Sequence, residues 1–294
     1  MTEPLTPLSF IGIGLMGEAM TLRLLAAGRT VYVWNRSPDK LSRVVHAGAI
    51  ACATCADAVK AAPVVLVCLA DTAAVLSVVQ QTVLAHASRG QLLIDLSSIH
   101  PATTRQMAAW VSEQCGMDWV DAPVSGGVQG ANAGTLAIMA GGAVEQIDRA
   151  RTVLAPLYQQ LTHVGAVGTG QVAKICNQMI VSCNVLVIAE MMALAQQAGV
   201  DSQQLQTALA GGFADSKPLQ IVGPQMASAS FEPVKWRVQT LLKDLTMAVD
   251  LAASVGSATP MSGLAAQLMQ LHGLNGYLQH DPATLINLYA KKDA

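Results

Sequence analysis

The chain reads Leu8-Ser9-Phe10-Ile11-Gly12-Ile13-Gly14-Leu15-Met16-Gly17 near its N-terminus. A largely apolar run precedes the glycines and an amphipathic stretch follows them, which predicts a strand, a turn and a helix. Gly12 permits a tight turn, Gly14 leaves a bare backbone against which a pyrophosphate can lie, and Gly17 lets the helix pack closely on the strand. Because the free amides at the start of a helix favour phosphate groups, this stretch predicts a dinucleotide-binding turn.

The second predicted strand, over residues 30–34, should end beside the adenosine ribose of such a dinucleotide. NAD-preferring enzymes usually place Asp or Glu there, whereas this chain has Asn35-Arg36-Ser37. These side chains suit a 2′-phosphate, which Arg binds through several donors and a carboxylate would repel. We therefore predict NADP, with NAD as the alternative; Arg36 could also be simply exposed while Ser37 caps a helix beginning at Pro38. The predicted cofactor-binding residues of this segment are Gly12, Gly14, Leu15, Met16, Gly17, Asn35, Arg36 and Ser37.

Composition limits the classes of protein to which the chain can belong. It has 294 residues, of which 52% are hydrophobic and 12% charged, and a formal net charge of -2. The length fits two domains. So apolar a composition indicates that another subunit covers part of the surface, and we expect a homodimer or homotetramer. The charge pattern offers no basic surface for nucleic acid, which is therefore not an expected partner.

Three features bear on where the protein works. The N-terminus, Met1-Thr2-Glu3-Pro4, has no basic region followed by an apolar core, so no export signal is expected. The most apolar segment, residues 179–195, contains Asn184 and Glu190 and is short for a membrane span, so we predict a buried or subunit-contact helix rather than a membrane anchor. The six cysteines are scattered, and Cys52-Ala53-Thr54-Cys55 lacks the partners of a zinc site. We expect a cytoplasmic protein without a metal.

Strand-like and helical segments alternate from Leu8 to about Gly165, which is typical of a parallel sheet covered by helices. The predicted strands span residues 8–13, 30–34, 64–69, 92–95, 119–121 and 136–140. One long helix over 171–199 follows, which at ~1.5 Å per residue would extend about 40 Å, and shorter helices follow at 202–210, 236–255 and 260–272. We predict an α/β protein, with a doubly wound Rossmann-type domain over residues 1–165. A helical substrate and oligomerisation domain over 166–294 is joined to it by the long helix.

Two segments late in the predicted sheet domain carry candidate catalytic groups. Asp121-Ala122-Pro123-Val124-Ser125-Gly126-Gly127 follows a strand and offers a hydroxyl and unobstructed amides that can hold a carboxylate. Lys174 lies about one turn into the long helix, where the helix dipole disfavours the ammonium form and favours a lowered pKa. Such a lysine suits proton transfer. Asn177 and Gln178 share its helical face and can hydrogen-bond a substrate hydroxyl, whereas Asp121 and His100 are expected to be structural.

With these motifs in this order, the chain resembles the β-hydroxyacid dehydrogenase family. That family includes 3-hydroxyisobutyrate dehydrogenases, tartronate semialdehyde (2-hydroxy-3-oxopropionate) reductases and glyoxylate/succinic semialdehyde reductases. The resemblance runs nearly end to end and rests on residues 10–17, 121–127, 168–178 and 242–245. It implies that Lys174 is the catalytic acid/base. It also implies substrate contacts at Ser125, Gly126, Gly127, Asn177 and Gln178, and cofactor contacts at Cys68, Leu69, Ala70, Ser98 and Lys243.

The family pattern often has Asn where this chain has Gln178, and a glutamine there is expected in the tartronate semialdehyde reductase branch. Whether Asn177 or Gln178 touches the substrate is open at this point. The resemblance implies NADPH-dependent reduction of a small carboxylated aldehyde to the hydroxy acid, run reversibly as a 3-hydroxyacid dehydrogenase. The alternatives are an NAD-dependent 3-hydroxyisobutyrate or L-threonate type dehydrogenase, and, in a different class, a non-catalytic dinucleotide-binding module.

Overall fold

The computed structural model describes residues 5–289, so the segment Met1-Thr2-Glu3-Pro4 lies outside the described residues. The chain divides into two compact units, Met1–Lys174 and Ile175–Ala294. The division falls within one long helix, Thr169–Gln197, whose first turn belongs to the first unit. Each unit is described by itself below.

The first unit contains a nine-stranded sheet. Its strands are β1 (Leu8–Ile11), β2 (Val31–Trp34), β3 (Ile50–Ala51), β4 (Val64–Val67), β5 (Leu92–Asp95), β6 (Asp118–Asp121), β7 (Val124–Ser125), β8 (Leu136–Gly141) and β9 (Tyr158–Gly165). The order is β3-β2-β1-β4-β5-β6-β8-β7, with β9 also paired to β8. Strands β1 to β6 are parallel, and β8 is antiparallel to β6 and β7. This is the strand order of doubly wound dinucleotide-binding sheets, so the predicted fold class is confirmed.

Helices cover both faces of the sheet. They are α1 (Leu15–Ala26), α2 (Ser42–His46), α3 (Cys55–Ala61), α4 (Thr72–Val78), α5 (Leu84–His86), α6 (Pro101–Cys115), α7 (Gly127–Ala133) and α8 (Val144–Leu154), with a 3₁₀ turn at Pro38–Leu41 and a π-helical turn at Val79–Val83. Val64 and Leu66 of β4 belong to one buried cluster, with Met20 of α1. Val65 and Val67 belong to the cluster on the other face. Two-sided burial explains why the central strands are continuous apolar runs.

The second unit consists of helices and the loops that connect them, with no strand among residues 175–289. Its helices are the rest of α9 (Thr169–Gln197), α10 (Ser202–Leu209), α11 (Lys217–Ala227), α12 (Val238–Ser254) and α13 (Pro260–His272), followed by a π-helical turn at Gly273–Tyr277 and a 3₁₀ segment at Pro282–Leu288. One buried cluster joins Val185 and Met192 of α9 with Leu219 of α11, Leu241 of α12 and Met269 of α13. An apolar stripe on each helix thus faces a shared core.

Three strands and one helix of the structure were absent from the sequence prediction. Strands β3 and β7 have two residues each, too few to show a period. Strand β9 lies at a sheet edge, and Leu161 is its one buried position. Helix α11 contains Pro218 in its first turn, where proline is tolerated, and Pro224 inside. The helix was not predicted because two prolines within eleven residues are untypical of a helix. The predicted bounds of β5 and α13 match the observed ones.

Helix α9 is long and apolar enough to cross a membrane by length and composition, with a mean hydropathy of 1.8. Within that apolar stretch, 44% of the residues are buried inside the chain. The helix also contributes the buried polar residues Gln178 and Ser182 to the interior. Its core packing fits the prediction of a buried helix, since a core helix of a soluble protein passes the same test.

His272 is the last residue of α13 and is buried. Its Nε2 donates to Oγ1 of Thr284 at 2.9 Å, since that hydroxyl itself donates to the Asp281 carbonyl at 2.7 Å. The ring stacks on Tyr277 with centroids 4.3 Å apart. Burial, and to a smaller extent His280, lowers the pKa of His272 from 6.5 to about 4. The folded protein therefore favours the neutral imidazole.

A lowered folded-state pKa makes stability depend on pH. The contribution of neutral His272 is fully present above pH 6.5 and is lost as the pH falls from 6.5 to about 4. We expect about 3 kcal/mol of unfolding free energy to be lost over that range. His272→Gln should remove this part of the pH dependence in urea unfolding, whereas the matched variant His280→Gln should keep most of it. An unchanged slope in His272→Gln would show that another group titrates.

Candidate active site

The three glycines of the turn between β1 and α1 lie in different environments. Gly12 has φ +101°, and a Cβ there would lie 2.3 Å from the Cys68 carbonyl oxygen; a Cβ on Gly17 would lie 2.0 Å from the Gly12 carbonyl oxygen. A Cβ on Gly14 would meet no heavy atom of the surrounding structure within 4 Å. Gly14 is also the N-cap of α1 and has no side-chain cap. Packing thus requires Gly12 and Gly17, while Gly14 leaves open space beside uncapped amides, which fits a pyrophosphate.

The end of β2 is tied to this turn by Asn35. Its Oδ1 accepts from the Ile13 amide at 2.9 Å, and its Nδ2 donates to the Ser37 carbonyl at 2.9 Å. The side chains of Arg36 and Ser37 are exposed. Ser37 is the N-cap of the 3₁₀ turn but makes no side-chain cap bond. Asn35 therefore shapes the turn, and Arg36 and Ser37 present a guanidinium and a hydroxyl beside it.

The loops after β4 and β5 meet at the same edge of the sheet. The Leu69 amide donates to Oγ of Ser97 at 2.9 Å, and the Ser97 amide donates to Oδ1 of Asp95 at 3.0 Å. These bonds place the predicted segment Cys68-Leu69-Ala70 beside the loop that contains Ser98. Because the parallel strands share one carboxyl edge, both loops lie on the side of the glycine turn.

The segment Ser125-Gly126-Gly127 links β7 to α7. Ser125 pairs with Ala137 of β8, which fixes its position in the sheet. Gly126 and Gly127 have φ +134° and +61°, values that other residues rarely adopt, and both are exposed. The two glycines therefore present backbone amides without side chains in front of them, a geometry that can hold a carboxylate.

The first turn of α9 is anchored on the ends of β6 and β8. The Asp121 carboxylate accepts from the amides of Gly168 at 2.7 Å and Gln171 at 3.0 Å. A Cβ on Gly170 would lie 2.5 Å from the Met139 carbonyl oxygen. Burial raises the pKa of Asp121 to about 6, although the amide hydrogen bonds oppose this shift. Asp121 is thus the structural hydrogen-bonding group that the sequence predicted, and it places buried Lys174 one turn into the helix.

Gln171 makes a second anchor, which sequence reasoning missed. Its Oε1 accepts from the Ile99 amide at 3.0 Å, and its Nε2 donates to the Ser97 carbonyl at 2.9 Å. The side chain is 1% exposed. Its signal in the sequence was weak: a glutamine three residues before Lys174, on the same helical face.

In the second unit, a hydrogen-bonded row contains the remaining predicted residues. Asn177 Nδ2 donates to Gln178 Oε1 at 2.8 Å, and Gln178 Nε2 donates to Asp244 Oδ2 at 2.6 Å. Lys243 Nζ lies 3.3 Å from Asp244 Oδ1. Gln178 and Asp244 are buried. Gln178 therefore ties α9 to α12 through Asp244, whereas Asn177 is half-buried.

The first unit thus brings together the glycine turn, the ends of β2, β4 and β5, and the helix turn of Lys174. Asn177, Gln178 and Lys243 form their own cluster in the second unit. Within residues 5–289, no three His, Cys, Asp or Glu side chains are grouped so that they could hold a metal ion.

Two family models together cover most of the chain. Residues 7–165 match the NAD-binding domain of 6-phosphogluconate dehydrogenase, and residues 168–289 match the NAD-binding domain of NADP-dependent 3-hydroxyisobutyrate dehydrogenase.

Relatives and solved structures agree with the family models. The 2-hydroxy-3-oxopropionate reductase of Escherichia coli is 33% identical over 95% of this chain and 95% of its own length. The NAD-dependent L-serine dehydrogenase of Pseudomonas aeruginosa is 33% identical over 96% and 97%. The structure of a 3-hydroxyisobutyrate dehydrogenase from Mycobacterium tuberculosis with L-serine is similar at a TM-score of 0.87, with 31% identity over 97% of this chain and 99% of that one. The chain therefore belongs to the β-hydroxyacid dehydrogenase family and is an NAD(P)-dependent oxidoreductase acting on CH–OH groups.

Proposed function

We propose that the protein reduces a small carboxylated aldehyde with NADPH to the hydroxy acid, and also catalyses the reverse oxidation. The observation that carries this proposal is the anchoring of the Lys174 turn on the end of β6 by Asp121. That end belongs to the same carboxyl edge of the sheet as the glycine turn. This position supports a role for Lys174 as proton donor, because a dinucleotide binds at this edge in doubly wound sheets.

The cofactor-binding assignment follows the contacts at that edge. Gly12, Gly14 and Gly17, with the first residues of α1, Leu15 and Met16, would hold the pyrophosphate. Arg36 and Ser37 would hold a 2′-phosphate, positioned by the Asn35 bonds. Cys68, Leu69, Ala70 and Ser98 would lie along the rest of the dinucleotide, and the family resemblance assigns Lys243 to the cofactor as well. When bound, NADPH supplies the hydride. The description of the matched helical model as NADP-dependent supports this choice, while the NAD-dependent serine dehydrogenase keeps NAD as the alternative.

Other residues of this chain would bind and orient the substrate and transfer the proton. Ser125, Gly126 and Gly127 hold the substrate carboxylate through hydroxyl and amide groups, so that the carbonyl is oriented. Lys174 donates a proton to the carbonyl oxygen as it gains negative charge. Asn177 and Gln178, which are hydrogen-bonded to each other, would orient the substrate from the next turn of α9.

Reduction rates over a substrate panel test this function. Oxidation of NADPH would be followed with glyoxylate, tartronate semialdehyde, succinic semialdehyde and methylmalonate semialdehyde. We expect turnover with at least one of them and weaker turnover with an aldehyde of the same size that lacks the carboxylate. A protein that binds NADPH tightly and reduces none of the four would contradict the proposal and favour the non-catalytic dinucleotide-binding module.

We also propose that the enzyme is a cytoplasmic homodimer or homotetramer. All six cysteines are free thiols, as is usual in a reducing compartment. Ile180, Val187 and Leu194 are spaced by seven residues on α9 and are 70%, 53% and 68% exposed. Met261 and Leu264 of α13 are exposed as well, and they line a groove with Val187. So continuous an apolar surface supports contact with a second copy.

Val187→Glu is expected to weaken assembly, because it would place a carboxylate in the apolar contact without a partner. Light scattering at micromolar concentration should show a larger fraction of monomer than in the wild type. The control Gln106→Glu adds the same charge at an exposed position of α6 and should not change the oligomeric state. A wild-type monomer would contradict the proposed assembly, and an unchanged mass in Val187→Glu would place the contact elsewhere.

A further inference from the structure

The side chain of Gln171 joins two parts of the first unit that are far apart in sequence. Its amide group bonds the Ile99 amide and the Ser97 carbonyl, 72 and 74 residues away. Both partners are backbone groups of the loop after β5, and both residues are buried. The orientation of the Gln171 amide group is thus fixed, because its Oε1 accepts one hydrogen bond and its Nε2 donates the other.

The loop that Gln171 holds also contacts the loop after β4. The Ser97 Oγ accepts a hydrogen bond from the Leu69 amide at 2.9 Å, and the Ser97 carbonyl accepts one from Nε2 of Gln171. Leu69 in turn lies against the glycine turn, because a Cβ on Gly12 would be 2.7 Å from its Cδ2. A continuous set of contacts therefore runs from the glycine turn through Leu69 and Ser97 to Gln171.

Gln171 precedes Lys174 by three residues, so both lie on one face of the same helical turn. Asp121 fixes this turn to β6, and Gln171 fixes it to the loop after β5. Two anchors in different directions restrict both the position and the rotation of the turn. A displacement of about 1 Å can cost ~10²-fold in rate, so we expect loss of the second anchor to change the rate as well as the stability.

We propose that Gln171 is a positioning residue that sets Lys174 relative to the cofactor-side loops after β4 and β5. The inference rests on the proposed function, and it assigns Gln171 no contact with the substrate. Its consequence is that loss of the Gln171 amide lowers the rate of the proton-transfer step in a protein that is still folded and still binds NADPH.

The matched variants are Gln171→Met and Gln91→Met. Gln91 is also buried and also bridges backbone groups, accepting from Ser88 at 2.6 Å and donating to Val59 and Ala62 at 2.8 Å. Gln91 lies immediately before β5, at the amino ends of the parallel strands and so on the side of the sheet opposite to the glycine turn. Both variants lose stability, but only Gln171→Met should lower kcat, by ~10- to 100-fold, with the Kd for NADPH changed less than about threefold.

Gln171→Glu adds a readout that a purely structural role would not move. The carboxylate repels the Ser97 carbonyl, whereas the protonated acid can again donate to it and accept from Ile99. Because the side chain at this position is buried, the pKa of the introduced carboxyl group should be raised. The kcat of Gln171→Glu relative to wild type should therefore recover as the pH is lowered, and that of Gln171→Met should not.

The outcomes separate this inference from the proposed function. Normal kcat in Gln171→Met, with Lys174→Ala inactive, would overturn the positioning role alone. An equal loss of kcat in Gln91→Met, or a Gln171→Glu profile parallel to that of Gln171→Met, would overturn it as well, because stability would then explain the effect. A wild type without turnover on any substrate of the panel would overturn the proposed function and this inference with it.

Discussion

Lys174→Ala is expected to lower kcat by ~10²–10⁴ while the Kd for NADPH stays nearly unchanged. Lys174 is buried in the turn that Asp121 and Gln171 anchor, and the proposed function assigns it the proton transfer. The glycine turn and Arg36, which would hold the cofactor, lie on other elements. Steady-state rates with the best aldehyde of the panel, and NADPH titrations followed by fluorescence, measure the two quantities.

Lys60→Ala is the matched control for this variant, since Lys60 is exposed on α3 and has no assigned role. Its kcat should equal that of the wild type. Normal turnover in Lys174→Ala would refute the assignment of the proton donor. A parallel loss of NADPH binding would mean that Lys174 holds the cofactor rather than the reacting oxygen.

Arg36→Asp is expected to reverse the cofactor preference. The change removes a charged donor from the 2′-phosphate and introduces a carboxylate that can accept from a ribose hydroxyl. A lost hydrogen bond to a charged group corresponds to ~1.5–3 kcal/mol, or roughly 10- to 150-fold weaker NADPH binding. The ratio of kcat/KM with NADPH to that with NADH measures the change.

Two further variants sharpen this test. Arg36→Leu should weaken the binding of NADPH without strengthening the binding of NADH, because it removes the donor to the 2′-phosphate and adds no acceptor for a ribose hydroxyl. Arg89→Asp, which changes an exposed charge before β5, should leave the ratio unchanged. A wild type that prefers NADH, or an Arg36→Asp protein that keeps its preference for NADPH, would contradict the assignment of the 2′-phosphate site.

The parts of the fold that follow from local spacing were predictable. The glycines at 12, 14 and 17 indicated their different roles, because a tight turn, an open backbone and a close packing contact each depend on the absence of a Cβ. Strands buried on both faces stood out as apolar runs. Edge strand β9 did not, because most of its side chains face solvent.

The parts of the site that depend on tertiary contacts were less predictable. Gln171 binds backbone groups of Ser97 and Ile99, and any polar side chain of the right length could have been expected to face solvent instead. The Gln178 amide meets Asp244, 66 residues away. The sequence placed Asn177 and Gln178 on the helical face of Lys174, but it did not indicate the hydrogen bonds that join Asn177 to Gln178 and Gln178 to Asp244.

The central claim is that this chain transfers a hydride to a small carboxylated aldehyde, and isotope transfer tests it most directly. The protein would be incubated with the best aldehyde of the panel and NADPH deuterated at both C4 positions, and the product would be analysed by NMR. We predict one deuterium on the carbon that bears the new hydroxyl group. A protein that binds the labelled NADPH and forms no deuterated hydroxy acid from any of the four aldehydes would contradict the account.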